Sequence, residues 1–193
     1  NNSLIKKITD QIFQSTNVDV KIDNIEKSKI LKNDCEEIKD YFFRLKEKKI
    51  SRITGTINLN NNKLFQEFLL SDSMINLVRS YLNTNDFSVN ASFFISNPLE
   101  ISEQEKYQNA QYFHWDNDFT KFFKMYIYLN DVNDENGPHI YIPNTHKIKK
   151  NDNKLCRLYS DTNIKNNYQH SKTFIGKFGS TFFVDSYGIH KGL

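Results

Sequence analysis

The stretch that decides the fold is KFFKMYIYLNDVNDENGPHIYIP, residues 121–143. Its two ends, 121–129 and 139–143, are rich in aromatic and β-branched residues with a period of two, which is typical of β-strands. Between them lies NDENGP, whose Asn-Gly pair and proline are typical of a turn. The stretch therefore predicts two strands joined by a short polar connection.

The same alternation of residue types continues on both sides of this stretch. From about Asp86 onward the pattern has a period of two, and short polar segments such as SNP, NT and GS separate the candidate strands. Many short strands with polar turns favour an antiparallel barrel or jelly roll. Residues 147–170 are polar and weakly periodic, which indicates a long insertion or lid. The predicted strands are 87–95, 107–116, 121–129, 139–143, 171–178 and 180–185.

The first half of the chain has a different pattern. Apolar residues at helical spacing predict helices over 3–16, 34–49 and 62–83, and the β-branched run at 50–59 predicts a strand. We therefore predict an α+β fold with a mainly β core, as one domain over residues 1–193. Within it, residues 1–85 form a helical cover packed on one sheet, and residues 86–193 form the β core.

Composition narrows the class of function. With 26 basic and 23 acidic residues in 193, the net charge is +3, which argues against a nucleic-acid or membrane partner. No apolar run is long enough for a membrane span. Cys35 and Cys156 lack metal-ligand spacing and favour reduced thiols, hence a cytoplasmic protein. A small-molecule substrate is the expected partner, and the oligomeric state is not indicated.

One segment carries metal-binding chemistry: QYFHWDNDF, residues 111–119. On a strand, His114 and Asp116 project from the same face, so they can occupy two adjacent positions on a metal ion. A third ligand would come from another histidine, and His190 lies just after a strong predicted strand and a Tyr-Gly turn. Two histidines and one carboxylate suit non-haem Fe(II), while three protein ligands also suit a catalytic zinc. The other candidates for the third ligand are His139, His146 and His170.

Three blocks, FHWDND, KMYIYLNDVNDENGPHIYIPNTHK and GSTFFVDSYGIHKG, resemble the phytanoyl-CoA dioxygenase family in this order, over roughly residues 87–193. The resemblance implies a double-stranded β-helix (jelly roll) and a dioxygenase that uses Fe(II), 2-oxoglutarate and O2 to hydroxylate a small organic substrate. It implies that His114, Asp116 and His190 are the metal ligands. His146, in the Pro-x-x-His turn, is implied to be structural.

The family also has an arginine, about ten residues after the distal histidine, that binds the far carboxylate of 2-oxoglutarate. The chain ends at Leu193, so we expect either a natural chain that continues or a cosubstrate held differently. Lys124 and Tyr126 lie on the mixed face of strand 121–129 and are the candidate cosubstrate residues. Lys124 either lines the cavity or lies on a half-exposed surface. The candidate substrate pocket residues are Phe93, Tyr112 and Phe113.

Two other functions are compatible with the sequence. One is a cupin-like metal enzyme without redox chemistry, for example an isomerase. The other is a non-catalytic or inactive truncated jelly-roll module that binds a small molecule. The sequence does not indicate the identity of the substrate.

Overall fold

A computed structural model describes residues 2–13, 18–22, 47, 52–57, 59–61, 63–97, 102–103, 106, 110–148 and 157–192. The chain divides into two compact units, Asn1–Leu99 and Glu100–Leu193. Helices and several antiparallel sheets are both present, which confirms the α+β class. None of the helices in the described part of the chain is long and apolar enough to cross a membrane.

The first unit contains a three-stranded antiparallel sheet in the order β1-β2-β3. Its α1 helix buries Ile5 and Ile8, which are three residues apart and therefore share a helix face. The helix predicted over 3–16 is thus confirmed for the described residues, as is the strand predicted over 50–59, whereas β1 was not predicted. Its elements are α1 (Asn2–Phe13), β1 (Val18–Ile22), β2 (Arg52–Ile57), α2 (Lys63–Leu69), α3 (Asp72–Leu82) and β3 (Ala91–Ser96).

The single helix predicted over 62–83 is wrong, because two helices occupy this segment. The backbone of Ser71 is extended, with φ −60° and ψ 146°, and it starts α3 as its N-cap. Apolar spacing continues across this break, so periodicity alone does not reveal it. The helix predicted over 34–49 lies outside the described residues except for Glu47, and Cys35 and Cys156 also lie outside them.

Strand β3 starts later than predicted, at Ala91, and pairs with β2 over its full length. It therefore belongs to the sheet of the first unit. The assignment of residues 1–193 to one oxygenase-like domain stays a prediction.

The second unit contains two antiparallel sheets, one of five strands in the order β7-β4-β10-β6-β8 and one of two strands, β5 and β9. The predicted strands at 121–129, 139–143, 171–178 and 180–185 are confirmed, each over a shorter core. Strand β7 and helix α4 lie in the segment expected to be an irregular insertion. The elements are β4 (Phe113–His114), β5 (Lys124–Ile127), β6 (His139–Tyr141), β7 (Leu158–Tyr159), α4 (Asp161–Asn167), β8 (Lys172–Phe174), β9 (Thr181–Val184) and β10 (His190–Gly192).

The strand predicted over 107–116 is only two residues long in its described part. Ala110 has a φ of 58°, in the left-handed region that strands do not use. The chain turns there before it enters β4, so the regular strand begins at Phe113.

The five-stranded sheet has two chemically different faces. One face buries an apolar cluster onto which α4 contributes Ile164. The other, which we call the inner face, looks toward β5 and β9, since the rings of Phe174 and Phe182 stack at 4.3 Å and those of Tyr126 and His139 lie 4.9 Å apart. The apolar cluster consists of Phe113, Ile142, Ile164 and Ile189.

Candidate metal centre

Strands β4 and β10 place two histidines side by side on the inner face. His190 is the register partner of His114, and cross-strand partners point to the same side of a sheet. Their ring centroids are 4.4 Å apart. Asp116 follows β4 by two residues, and its backbone N–H donates to the Ser186 carbonyl at 2.8 Å, which anchors it beside the turn that leads into β10.

The donor atoms of His114, Asp116 and His190 all lie within 4.8 Å of one another. His114 Nε2 is 3.7 Å from Asp116 Oδ1, and His190 Nε2 is 3.5 Å from Asp116 Oδ2. Ligands about 2.1 Å from one ion and at right angles to each other are roughly 3 Å apart. The separations are therefore close to those of ligands that share one cation.

Both imidazoles are held in the same tautomer by the backbone. His114 Nδ1 lies 2.8 Å from the Tyr112 carbonyl oxygen, and His190 Nδ1 lies 2.9 Å from that of Gly188. A carbonyl oxygen only accepts hydrogen bonds, so each Nδ1 carries the proton and donates it. In the neutral ring, Nε2 then presents a lone pair, which is the form that binds a metal.

Burial sets the charge state of this group. Desolvation, with a smaller contribution from His114, lowers the pKa of His190 to about 4, so this ring is neutral at pH 7. Burial raises the pKa of the Asp116 carboxyl, but the charge that His190 carries at low pH and the Lys124 ammonium outweigh burial and lower this pKa. A neutral imidazole thus points its lone pair at an ionised carboxylate.

This donor set fits a divalent cation. Lone pairs that face a carboxylate repel it, and a cation among them converts the repulsion into three favourable contacts. Two imidazole nitrogens and one carboxylate are the ligand types that Fe(II) takes in non-haem oxygenases. No other group of three such side chains, within the described residues, could hold a metal.

Lys124 lies on the inner side of β5 and contacts the group directly. Its Nζ donates to Asp116 Oδ2 at 2.6 Å and lies 3.0 Å from Asp118 Oδ2. Burial lowers the pKa of this amine, but Asp116 outweighs burial and raises it. Its side chain is 36% exposed and its ammonium reaches Asp116, so Lys124 lies beside the group of three donors, and its place in a cavity stays a prediction.

Tyr126, two residues further along β5, shares this side with Lys124. Its ring stacks on Phe182 at 5.3 Å and lies 4.9 Å from His139. Tyr126 is therefore part of the aromatic layer between the two sheets. The cosubstrate roles of Lys124 and Tyr126 stay predictions.

The three remaining histidines lie in different surroundings. His139 is buried on β6, where desolvation followed by the nearby His190 lowers its pKa to about 3. His146 Nδ1 lies 3.2 Å from the Tyr141 hydroxyl, which also donates to the Asp185 carbonyl, so His146 belongs to the turn. His170 is exposed.

The predicted pocket residues are distributed between the two units. Phe93 is buried on β3 of the first unit, where its ring packs on Gly55. Phe113 is buried in the apolar cluster, on the sheet face opposite His114. Tyr112 contributes its carbonyl to His114. The substrate pocket itself stays a prediction.

One participant was not singled out by sequence reasoning, and another was named only as an alternative third ligand. Asp118 is a second carboxylate partner of Lys124, and the DND spacing after Trp115 is the signal that could have indicated it. His139 joins the inner face because it is two residues from Tyr141, the register partner of His190. The alternation in HIYI was therefore sufficient to place it.

Comparison with known proteins agrees with this geometry. Residues 24–193 match the phytanoyl-CoA dioxygenase family, so the match spans most of the chain and both units. No curated protein and no solved structure matches the chain significantly. The chain belongs to the phytanoyl-CoA dioxygenase family.

Proposed function

We propose that the protein is an Fe(II)- and 2-oxoglutarate-dependent dioxygenase that hydroxylates a small organic molecule. The observation that carries this proposal is the convergence of two backbone-locked Nε2 lone pairs on the Asp116 carboxylate. Family membership supports the same chemistry. The corresponding fold would be a double-stranded β-helix, to which the facing sheets of the second unit would contribute.

The residues of the site have distinct roles in this proposal. When bound, Fe(II) together with 2-oxoglutarate and O2 would supply the oxidising chemistry, with O2 as the oxidant, and no side chain provides it. His114 and His190 offer neutral nitrogen ligands, and Asp116 offers the negative charge that balances the dication. Lys124 balances the charge of Asp116 through Oδ2 when no cation is bound. The aromatic layer beside the group would limit the access of water to it.

The proposal is tested first by cation binding. Titration calorimetry with Mn²⁺, which does not oxidise in air as Fe(II) does, should show one site in the parent protein and a loss of at least tenfold in affinity in Asp116→Ala. Asp118→Ala is the matched control, because Asp118 is a nearby carboxylate outside the group of three donors. Equal affinity in Asp116→Ala and the parent would contradict the role of Asp116 as a ligand.

Turnover distinguishes the proposed oxygenase from a metal protein without redox chemistry. The Fe(II) protein in air should convert 2-oxoglutarate to succinate, even slowly and without a substrate, and NMR spectroscopy detects the product. Asp116→Ala should abolish this conversion, and Asp118→Ala should retain it. Cation binding without any succinate would favour the non-redox metal enzyme.

A further inference from the structure

His139 is buried, and its Nε2 is an unpaired polar atom within the described part of the chain. The residue is 7% exposed, and its Nε2 is fully covered. Among the residues that the structure describes, none lies within hydrogen-bond distance of this atom. Buried polar atoms in native proteins nearly always have a partner, so an exception needs an explanation.

The position of His139 points to the candidate metal centre. It shares the inner face with Tyr141, two residues along β6, and Tyr141 is the register partner of His190. The rings of His139 and His190 are nearly parallel, with centroids 5.3 Å apart and planes inclined by 28°. His139 therefore lies next to the group of three donors without belonging to it.

The surroundings of His139 are otherwise aromatic. The ring centroid of His139 lies 4.9 Å from that of Tyr126, 5.8 Å from that of Phe174 and 5.7 Å from that of Phe182. An apolar side chain would suit this layer better than an imidazole. An imidazole at this position is explained if a bound molecule supplies the hydrogen-bond partner of Nε2.

The charges around the site indicate what that molecule carries. Asp116, Asp118 and Lys124 form one linked cluster. A divalent cation and one ammonium against two carboxylates leave one net positive charge. A small anion is thus favoured over a neutral or cationic ligand.

We propose that His139 is a ligand-binding residue of this site, which donates a hydrogen bond from Nε2 to a carboxylate oxygen of the bound 2-oxo acid. The inference rests on the proposed function, because it takes the 2-oxo acid from there. It assigns the neutral imidazole of His139 the Nε2–H tautomer, opposite to that of His114 and His190. The aromatic layer would shield this hydrogen bond from water.

The test measures 2-oxo-acid binding separately from cation binding. Under anaerobic conditions, 2-oxoglutarate and pyruvate are titrated into the Mn²⁺-loaded parent, His139→Leu and His139→Gln. His139→Leu should bind Mn²⁺ as the parent does but bind 2-oxoglutarate about tenfold more weakly, which corresponds to ~1.4 kcal/mol. His139→Gln keeps an N–H donor and should recover part of the affinity. His170→Leu, at an exposed histidine, should bind both acids as the parent does.

Pyruvate identifies the carboxylate involved, because it lacks the far carboxylate of 2-oxoglutarate. A loss for 2-oxoglutarate alone assigns the hydrogen bond to the far carboxylate, and a parallel loss for both acids assigns it to the carboxylate next to the keto group. Without any ligand, His139→Leu should unfold at the same temperature as the parent or a higher one, since it removes a buried unpaired nitrogen.

The inference and the proposed function can fail separately. If the parent binds 2-oxoglutarate and His139→Leu binds it equally well, the inference is wrong and the proposed function stands. If His139→Leu and His139→Gln both lose stability and Mn²⁺ affinity, His139 is structural and the inference is again wrong. If the parent binds Mn²⁺ but neither acid, both proposals are wrong.

Discussion

At the residue scale, the buried histidines make the stability of the cation-free protein depend on pH. In the unfolded chain a histidine titrates near its usual pKa of 6.5, but burial lowers the pKa of His190 to about 4 and that of His139 to about 3. Between these values the unfolded state binds more protons than the folded state. The free energy of unfolding therefore falls as the pH is lowered from about 6.5 towards 4.

Urea unfolding in EDTA at pH 7, 6 and 5 measures this dependence. Each buried histidine should contribute at most about 1.4 kcal/mol per pH unit below its unfolded pKa. His139→Leu should remove one of the two contributions and flatten the slope, whereas His170→Leu should leave it unchanged. A stability that is constant from pH 6.5 to 5 would show that these rings are not held neutral.

Lys124 and a bound dication compete for the charge of the same carboxylate. Lys124→Met removes the ammonium that lies 2.6 Å from Asp116 Oδ2 and should destabilise the cation-free protein by about 1 kcal/mol. The loss should be smaller with Mn²⁺ bound, because the dication then balances Asp116. The rise in unfolding temperature on addition of Mn²⁺ should therefore be larger in Lys124→Met than in the parent.

Lys177→Met is the matched control for this experiment, because Lys177 pairs with Asp131 at 2.8 Å and its side chain is 84% exposed. Its thermal shift with Mn²⁺ should equal that of the parent. A smaller shift in Lys124→Met than in the parent would mean that Lys124 supports the cation rather than competing with it.

At the scale of elements, the turn before β10 depends on a glycine. A Cβ on Gly188 would overlap the hydroxyl and ring of Tyr141. This hydroxyl contacts His146 Nδ1 and donates to the Asp185 carbonyl. Since the Gly188 carbonyl also accepts from His190 Nδ1, the displaced turn would misorient this imidazole. Gly188→Ala should cost about 1–3 kcal/mol of stability and weaken Mn²⁺ binding.

Gly192→Ala, at the end of β10, provides the comparison. No described atom lies within 4 Å of a Cβ built at Gly192, so this substitution should have little effect on stability or Mn²⁺ affinity. Urea unfolding and calorimetry measure both quantities. If Gly188→Ala binds Mn²⁺ as tightly as Gly192→Ala, the turn does not orient His190.

Period-two alternation was sufficient to predict the elements that carry the site, and it failed where a single residue sets the backbone. It placed His114 beside Asp116 and Lys124 on the same face of β5 as Tyr126, because side-chain direction follows directly from spacing. It missed α4, whose one buried residue is Ile164, so the helix has no apolar periodicity, and its start is marked by the Ser160 cap and by Asp161 in the first turn. It also extended β4 back through Ala110, whose left-handed φ no spacing pattern indicates.

At the scale of the whole molecule, the candidate ligands all belong to the second unit. Bound Mn²⁺ should therefore slow the exchange of amide hydrogens most in β4, β6 and β10. The free energy of opening these strands should rise by roughly 2.7 kcal/mol when free Mn²⁺ is about 100 times its Kd. Hydrogen exchange followed by mass spectrometry measures this for each segment. If the free energy of opening rose equally in β2 and β3 of the first unit, a site confined to the second unit would be contradicted. In Asp116→Ala, Mn²⁺ should slow exchange in neither unit.

The sequence resemblance began near residue 87, whereas the family match begins at residue 24. Residues of metal-ligand type, such as His114 and His190, make the family resemblance of the second unit evident from its sequence. The first unit has only helical and strand periodicity that many folds share, so its family membership is not visible in single residues. The pairing of β3 with β2 likewise depends on tertiary contacts that alternation does not encode.

The tautomer lock on the two histidines has a consequence for mutational robustness. In both cases the acceptor is the main-chain carbonyl two residues earlier, at Tyr112 and Gly188, so each imidazole is oriented by its own segment of chain. No side-chain replacement removes a carbonyl oxygen. Substitutions can disturb these hydrogen bonds only by moving the backbone. Replacing the side chain of Tyr112 should therefore leave the protonation pattern of the two histidines unchanged.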